Sequence, residues 1–309
     1  MRKSGPGSPF QGMLLVYKEA GPSSNKVLQN VRRLLGGVKA GHAGTLDPRA
    51  EGLLQVCLGE ATKVVPFLAT LHKEYVGRMV FGAETESHDA WGKVVGSAPV
   101  EHLTRGLVED RMGSFRGLIS QIPPMYSAVK VHGERLYRLA RRGEEVARNA
   151  RTVEVKHFSI LSWERPRMEF LVRCGSGTYV RTLCHDLGKS CGSAGHMTSL
   201  VRTAVGPFRV DRAITVEGLR KILEEGREPL PVIPLVEALP HLPLLQVQAD
   251  EARRVRQGQP PSTLSEELEE DLSEGQEVRL AGPEGDLVAV VSCRGPGRSM
   301  TIRRTFGCR

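Results

Sequence analysis

Apolar and polar residues follow one another along the first part of the chain in patterns that predict short strands and helices. Residues 13–17 form an uninterrupted apolar run, which is typical of a buried strand. Ser23 is a favourable helix N-cap, and the apolar positions from 27 to 35 recur at helical spacing until Gly36 and Gly37 end the pattern. A strand, a helix and a glycine-rich loop are therefore predicted in this order.

Further along the chain, the apolar period changes repeatedly between that of a strand and that of a helix. Residues 75–81 alternate as in a strand with one buried face. Similar β-rich stretches lie at 127–131, 152–163 and 167–174, and helices are predicted at 60–70, 101–112, 134–142, 182–190 and 215–225. Because strands and helices mix without a strict βαβ rhythm, we predict an α+β fold rather than a doubly wound parallel sheet.

The two ends of the chain differ from this central part. Residues 1–12 are rich in Gly, Pro and Ser, which predicts a flexible leader. Clustered prolines disfavour helix and central strand, so we expect a semi-rigid linker over residues 229–241. Beyond it, a small β-barrel is predicted within residues 242–309, behind a main domain at 13–228. The β-like runs that predict the barrel are separated by glycine turns and lie at 276–281, 286–292 and 299–304.

Length and composition fit a folded protein of two domains. The chain has 309 residues, of which 40% are apolar and 25% charged, close to the globular average, and this excludes global disorder. The net charge is +8, and residues 242–309 hold 9 basic and 11 acidic side chains, so residues 1–241 carry the whole excess. Such a positive field favours a polyanionic partner, although a solvated basic face without a ligand fits the charge equally well.

Several kinds of site are disfavoured because their sequence patterns are missing. The six cysteines include no C-x-x-C pair, and the patterns of nucleotide-binding loops, zinc proteases and α/β-hydrolase nucleophiles are absent. We therefore expect no metal and no cofactor. The chain has no apolar run long enough for a membrane span and no signal-peptide pattern, so we expect a cytoplasmic protein with reduced thiols and no membrane partner.

Chemically specific residues first appear in the segment from Gly41 to Pro48. The proline holds Asp47 in extended backbone geometry, and the glycines let the chain approach a ligand closely. Taken alone, an Asp-Pro pair more often forms a turn or a helix N-cap, and a single histidine such as His42 is more often a hydrogen-bonded structural residue.

A second segment, residues 175–188, contains a phenol and a guanidinium two positions apart. In an extended conformation Tyr179 and Arg181 project to one face and line one cavity. The alternative is an exposed arginine at a helix start, with the tyrosine packed beneath it. The Cys-His-Asp run at 184–186 is rejected as a catalytic triad, because consecutive helical residues point about 100° apart.

A basic stretch with interspersed aromatic residues lies between Lys130 and Lys156. It contains eight Lys or Arg and four acidic residues. This composition suits an RNA phosphate backbone with splayed bases, although a charged, solvent-facing helix over 134–148 explains the pattern almost as well.

Taken together and in order, these segments resemble the TruB family of tRNA pseudouridine synthases over most of residues 13–210. The matching segments are 41–48, 52–54, 58–63, 73–75, 121–130, 175–188 and 200–208. Residues 242–309 are similar, more weakly, to the RNA-binding PUA domain of bacterial members. The resemblance implies the pseudouridine synthase fold, a mixed and largely antiparallel sheet with flanking helices and a central RNA-binding cleft.

The resemblance implies that the protein isomerises a uridine in the T loop of tRNA, position 55 in tRNA numbering, to pseudouridine. The N-glycosidic bond breaks and the base is rejoined through C5, without cofactor or metal. Asp47 is then the essential carboxylate, which attacks the sugar, attacks the base or assists glycosidic cleavage. Arg181 matches its ion-pair partner and would stabilise the charged carboxylate. Tyr75 would stack on the flipped base, and Tyr179 would lie where the C5 proton is lost.

Five further residues are implied to bind substrate near this carboxylate. His42 matches the residue that fills the space left by the base, Lys63 a basic residue near the pocket, and Leu200 an apolar pocket wall. Gly44 and Thr45 belong to the same loop as the carboxylate and complete this set.

The resemblance also implies a large RNA contact. Residues 124–151 correspond to an insertion that closes over the T arm, in which we expect Lys130, Arg141 and Arg142 to contact phosphates. The expected partner is the T arm of tRNA, together with the acceptor stem through the C-terminal domain. We expect no obligate protein partner and a monomeric enzyme.

Four residues depart from the family pattern. Ala43 stands where threonine is common, and Arg49 and Glu51 occupy positions that are usually apolar or small and polar. They are expected to change local loop packing and substrate contacts, and not the role of Asp47. Cys184 replaces a small residue, which we interpret as packing.

Three other functions fit parts of the sequence. A guide-RNA-dependent synthase of the same fold would need accessory proteins, and a tRNA-binding chaperone would act without the Asp47 carboxylate. A glycoside hydrolase would need a second carboxylate within about 5–10 Å of Asp47. Glu60 and Asp89 are available, but nothing in their spacing indicates that they lie there.

Overall fold

The computed structural model describes residues 10–127, 129–131, 133–227, 229–261, 272–294 and 299–307. Its strands are β1 (Gly12–Lys18), β2 (Ala40–Ala43), β3 (Glu51–Leu58), β4 (Lys73–Phe81), β5 (Ala83–Thr85), β6 (Val94–Ser97), β7 (Gly117–Gln121), β8 (Lys130–Val131), β9 (Glu134–Arg135), β10 (Arg151–Glu164), β11 (Arg167–Cys174), β12 (Gly195–Val205), β13 (Phe208–Arg209), β14 (Ile214–Thr215), β15 (Val232–Ile233), β16 (Leu244–Gln246), β17 (Glu277–Ala281), β18 (Leu287–Arg294) and β19 (Ser299–Thr305). Its α-helices are α1 (Ser24–Leu34), α2 (Val65–Ala69), α3 (Arg105–Gly113), α4 (Leu136–Arg141), α5 (Val180–Ser190), α6 (Val216–Glu224) and α7 (Ala249–Arg256), and short 3₁₀ helices lie at Gly59–Val64, Val210–Arg212 and Val236–Ala238.

An eleven-stranded sheet forms the centre of the molecule, in the order β14-β1-β3-β12-β4-β11-β10-β7, with β2, β13 and β15 paired beside this path. Most neighbouring strands are antiparallel, while β1 with β14 and β3 with β12 are parallel. This confirms the predicted α+β class. The predicted alternation in β4 is also confirmed, because Tyr75, Met79 and Phe81 face one buried cluster that includes Leu183 and Leu187 of α5.

Helix α1 forms where the sequence predicts it. The hydroxyl of Ser23 accepts a hydrogen bond from the backbone N of Lys26 at 3.2 Å, and this caps the helix. Val27 and Val31 are buried against Leu14 of β1. The helix therefore packs against the first strand, and Ser24 at its N-terminus is hydrogen-bonded to Leu46 in the loop between β2 and β3.

Several predicted elements differ from the structure, among them the helix predicted at 101–112, which begins at Arg105. The helix predicted at 60–70 is a 3₁₀ helix followed by the short α2. Among the described residues of the strand predicted at 127–131, only Lys130–Val131 pairs, and its partner is Glu134–Arg135. That small hairpin delays α4 to Leu136, two residues after the predicted start. Local pairing of four residues thus shortens the predicted strand and shifts the start of the predicted helix, which is otherwise confirmed.

The C-terminal strands form a separate sheet, in the order β16-β17-β18-β19. The three predicted β runs are confirmed, but these strands do not close into a barrel within the described part of the chain. Ala238 and Leu239, from the proline-rich segment, are buried in one cluster with Leu53 of the large sheet and with Leu287 and Phe306 of the C-terminal sheet. The segment is thus packed between the two sheets, and the domain boundaries stay a prediction.

Two observations concern membrane-spanning helices and the state of the cysteine thiols. No helix among the described residues is long and apolar enough to cross a bilayer. Cys57, Cys174, Cys184 and Cys191 are buried free thiols. Burial raises the pKa of Cys57 to about 12 and that of Cys174 to about 11, so these groups stay protonated at neutral pH.

Candidate active site

Asp47 lies in the loop of residues 44–50, between β2 and β3, and a buried lysine holds this loop. Lys18 at the end of β1 is fully buried, and its Nζ donates to the carbonyl oxygens of Pro48 at 2.8 Å and Ala50 at 2.6 Å. Burial lowers the pKa of Lys18 to about 8. The ammonium group therefore fixes the backbone that follows Asp47.

The backbone before Asp47 is held by two other side chains. Ser24 of α1 accepts from the N of Leu46 at 2.9 Å and donates to the carbonyl oxygen of Leu46 at 3.0 Å. Arg202 of β12 is fully buried and donates to the carbonyl oxygens of Leu53 at 2.7 Å and Gly44 at 3.0 Å. Gly44 has φ +80°, and a Cβ there would lie 3.4 Å from the Arg202 guanidinium, so glycine suits this turn.

A buried arginine binds the Asp47 carboxylate. Nη2 of Arg181 lies 3.2 Å from Oδ2 of Asp47, and Nη1 lies 3.8 Å from Oδ2 of Asp89. The same guanidinium donates to the carbonyl oxygens of Tyr126 at 2.7 Å and Ser87 at 3.4 Å. Only 4% of the Arg181 side chain is exposed, whereas 46% of Asp47 is exposed. The site therefore presents a carboxylate to solvent while its counter-ion stays inside the protein.

Asp89 also lies at the candidate site, although nothing in its spacing along the sequence indicated this position. It lies in the turn between β5 and β6, where its Oδ1 accepts from the hydroxyl of Ser87 at 2.6 Å and from the N of Trp91 at 3.1 Å. The hairpin carries Asp89 to Arg181, so two carboxylates share one guanidinium. Because the cation lies between them, the pair is not arranged to flank a glycosidic bond as in a glycoside hydrolase.

Tyr179 and Arg181 meet as predicted, although by a different geometry. Tyr179 is the extended N-cap residue of α5, and Arg181 is in the first helical turn, with its guanidinium carbon 5.8 Å from the tyrosine ring centre. The extended-segment interpretation and its exposed-arginine alternative are therefore both wrong. Gln121, which is buried, accepts from the N of Tyr179 at 2.7 Å and donates to its carbonyl oxygen at 3.1 Å. Sequence reasoning missed this support.

Tyr75 and Leu200 lie on the adjacent central strands β4 and β12. Each is 9% exposed, and both belong to the hydrophobic cluster that contains Leu46, the neighbour of Asp47. Burial raises the pKa of Tyr75, so its phenol is protonated at neutral pH. These side chains supply an apolar floor next to the carboxylate loop.

The other predicted residues near Asp47 are distributed over a wider area. His42 is on β2, with a buried Nδ1 that has no hydrogen-bond partner among the described residues, and burial lowers its pKa. Thr45 is exposed in the carboxylate loop. Lys63 pairs with Glu60 and donates to the carbonyl oxygen of Thr305 at 3.2 Å, so its contacts join the 3₁₀ helix Gly59–Val64 to the C-terminal sheet.

Two predicted phosphate contacts, Lys130 and Arg141, lie on the surface of the insertion. Lys130 lines a surface cavity together with Arg135 and Arg138. The guanidinium carbon of Arg141 lies 5.6 Å from the ring centre of Tyr137. These exposed cations suit contacts with a polyanion.

Arg142 has a different environment from its neighbour Arg141. It forms two hydrogen bonds with the carboxylate of Glu134, at 2.7 and 3.0 Å, and a third with Glu144 at 2.6 Å. These carboxylates raise the pKa of Arg142. A phosphate would have to displace them to reach this guanidinium.

The Cys-His-Asp run does not form a triad, as the sequence analysis concluded. Cys184 is fully buried, while His185 lies 2.9 Å from Asp186 and 3.1 Å from Glu84. Among the described residues, no group of three or more His, Cys, Asp or Glu side chains could hold a metal ion.

Comparison with solved structures identifies the class of protein. The chain matches one from a structure described as "Crystal Structure of a Cbf5-Nop10-Gar1 Complex", with a TM-score of 0.73 and 27% identity, over 96% of this chain and 85% of that chain. The fold, with its carboxylate and guanidinium on one side of the central strands, is that of a pseudouridine synthase.

Sequence comparison identifies the family. The model of the TruB family pseudouridylate synthase N-terminal domain matches residues 32–180, and that of the tRNA pseudouridylate synthase B C-terminal domain matches residues 181–236. The chain belongs to the TruB family of pseudouridine synthases and is thus an isomerase. It is 42% identical to tRNA pseudouridine synthase B of Geobacter sulfurreducens over 82% of this chain and 83% of the relative, and 40% identical to that of Syntrophotalea carbinolica over 96% of each.

Proposed function

We propose that this protein converts uridine 55 in the T loop of tRNA to pseudouridine, with Asp47 as the essential carboxylate. Relatives named tRNA pseudouridine synthase B align with 82% and 96% of the chain. The observation that carries the proposal is the ion pair between half-exposed Asp47 and buried Arg181 at 3.2 Å. Burying a guanidinium is costly, and here it orients a carboxylate that still faces solvent.

The proposed reaction changes connectivity and leaves composition unchanged. The bond between C1′ of the ribose and N1 of uracil breaks, the base turns, and C5 forms a new bond to C1′. C5 loses its proton and N1 gains one, so the reaction needs no oxidant or reductant. Asp47 attacks the sugar, attacks the base or assists the cleavage, and all three roles agree with its exposed position.

The aromatic residues support the proposed extraction of the base from its stack. Removing a base from a stack costs a few kcal/mol, and aromatic contacts in the pocket offset part of this cost. Tyr75 and Leu200 form an apolar surface beside the Asp47 loop. Tyr179, held by both hydrogen bonds of Gln121, lies next to Arg181 and is suited to the side from which the C5 proton leaves.

The remaining parts of the proposal concern RNA binding, oligomeric state and cellular location. We assign the T arm to the insertion of residues 124–151, and the acceptor stem to the C-terminal sheet, which would act as a PUA-type domain. The enzyme would act as a monomer, since it must surround a bulky RNA arm. We propose a cytoplasmic location, where the buried free thiols stay reduced.

The test is to incubate the purified protein alone with an unmodified tRNA transcript and to map pseudouridine along the product. A transcript with cytidine in place of uridine 55 is the control. The proposal predicts pseudouridine at position 55 of the first transcript and none in the second. Modification only after adding accessory proteins and a guide RNA would instead support the guide-dependent alternative.

A further inference from the structure

A cation–π pair at the surface joins the same two loops that Arg181 joins inside the protein. Arg49 follows Asp47 by two positions, and Trp91 follows Asp89 by two positions. The guanidinium carbon of Arg49 lies 5.5 Å from the ring centre of Trp91. Both residues are exposed, with 47% of Trp91 open to solvent.

The loop geometry fixes the place of this pair relative to the candidate active site. Oδ1 of Asp89 accepts from the N of Trp91 at 3.1 Å, while Oδ2 of the same carboxylate faces Arg181. On the other loop, the carbonyl oxygen of Asp47 accepts from the N of Ala50 at 3.1 Å, which closes a turn around Arg49. The Arg49–Trp91 pair therefore bridges, at the surface, the two loops whose carboxylates contact Arg181.

The two residues that depart from the family pattern after Asp47 differ in what they contact. Glu51 has a structural role, since it accepts a hydrogen bond from the hydroxyl of Tyr17 at 2.9 Å. Arg49 contacts only a half-exposed indole among the interactions described for it. Trp163, the second tryptophan, instead packs edge-on against Phe81, with ring centres 5.7 Å apart.

We propose that Arg49 and Trp91 bind a nucleobase next to the uridine that enters the pocket, an inference that rests on the proposed function. Extracting one base leaves its neighbours in the RNA loop unstacked. Proteins bind unstacked bases on aromatic rings and guanidinium planes, and this pair offers both. A phosphate would bind to the guanidinium alone and would not need the tryptophan. The exposed indole instead offers an aromatic ring on which a base can stack.

The experiment measures binding and turnover of a T-arm minihelix RNA by Trp91 variants. In a Trp163→Phe background the remaining indole reports directly on Trp91, and we expect its fluorescence to be quenched when the minihelix binds. Trp91→Leu should raise the dissociation constant about tenfold, and Trp91→Phe about threefold or less, since a smaller aromatic ring still stacks. Arg49→Gln should weaken binding by a smaller factor than Trp91→Leu.

A base-stacking role predicts that these changes appear in KM and in the dissociation constant, with much smaller changes in kcat. Unchanged affinity in Trp91→Leu would overturn the inference. An equal loss of kcat in the Leu and Phe variants, at unchanged affinity, would show instead that the pair only holds the two loops together. A parent protein that converts no uridine in the minihelix would contradict the proposed function as well. A fully active parent with insensitive Trp91 variants contradicts only the inference.

Discussion

Arg181 and Arg142 each pair with two carboxylates, yet their surroundings are opposite. The Arg181 side chain is 4% exposed, and its partners Asp47 and Asp89 come from two separate loops. The Arg142 side chain is 48% exposed and is paired with Glu134 and Glu144 of its own insertion. Water and salt screen the exposed pairs, whereas the buried guanidinium of Arg181 cannot exchange its carboxylate partners for water.

The difference shows what each region of the protein is suited to do. The buried network fixes one carboxylate relative to strands β4 and β12, so it suits a step that needs fixed geometry. The exposed network can exchange a carboxylate for a phosphate, so it suits reversible contact with RNA. Removing cations from the two regions should therefore give different defects.

The largest expected effect is that of Arg181→Met. Without the guanidinium, Asp47 loses its orientation, and we expect turnover to be abolished, a fall of at least about a hundredfold. RNA affinity should stay within a few-fold, because the changed side chain is buried. Tritium release from C5-labelled RNA measures turnover, and a filter-binding titration measures affinity.

The matched control for that variant is Arg78→Met, an exposed arginine paired with Glu169 on the same sheet. It should keep near-parental turnover. Strong residual activity in Arg181→Met, or an equal loss in the control, would show that the buried pairing is unnecessary.

A second effect concerns Lys18, another buried cation of the carboxylate loop, and its pH dependence. Burial lowers its pKa from 10.5 to about 8, so between these values the unfolded chain binds more protons than the folded chain. The free energy of unfolding should therefore rise with pH in this window, by up to about 1.4 kcal/mol per pH unit from this group. In Lys18→Met that contribution disappears.

Urea unfolding between pH 8 and 10 measures the slope in the two proteins. Lys221→Met on α6, where the lysine is exposed, is the control and should keep the parental slope. Equal slopes in the parent and in Lys18→Met would show that folding does not lower the pKa of Lys18.

A smaller loss is expected for Asp89→Asn. The amide oxygen can keep the contacts of Oδ1 with Ser87 and Trp91, while the group facing Arg181 loses its charge. We expect kcat to fall about tenfold with little change in KM, because a displaced guanidinium orients Asp47 less well. The control is Asp110→Asn on the exposed face of α3. If Asp89→Asn kept the parental kcat, Asp89 would not contribute to the orientation of Asp47, and Arg181 alone would hold that carboxylate.

The smallest effect on turnover is expected for the insertion. Arg141→Gln with Arg142→Gln should weaken tRNA affinity a few-fold and reduce the slope of log affinity against log salt by about one per lost phosphate contact. Arg141→Gln alone should account for most of the change, because Glu134 and Glu144 already neutralise Arg142. An unchanged salt slope, equal to that of an Arg220→Gln control on α6, would remove the proposed phosphate role.

Sequence patterns predicted those parts of the site that depend on local residues. Asp47, Tyr179 and Arg181 belong to short, distinctive segments, and the contact between Asp47 and Arg181 followed from the family resemblance. Asp89 could not be predicted, because its approach to Arg181 depends on pairing between the short strands β5 and β6 and on a turn in which His88 has φ +64°. The roles of these residues in the reaction stay predictions.

The fold was predicted well where burial follows simple periodicity. The first strand, helix α1 and strand β4 have clear apolar patterns, and each is present. Strand β12 was not predicted, because this central strand buries His196 and Arg202 among its apolar residues and so lacks clean alternation. The buried polar residues of this strand are explained by their partners on other elements, such as the carbonyl oxygens to which Arg202 donates.

The most direct test of the account is the turnover of Asp47→Asn on C5-tritiated T-arm minihelix RNA at saturating enzyme, with bound RNA measured in the same samples. We expect tritium release at background, with affinity within a few-fold of the parent and of the Asp110→Asn control. Tritium release near the parental rate from bound RNA would contradict the claim that the carboxylate held by Arg181 carries the reaction.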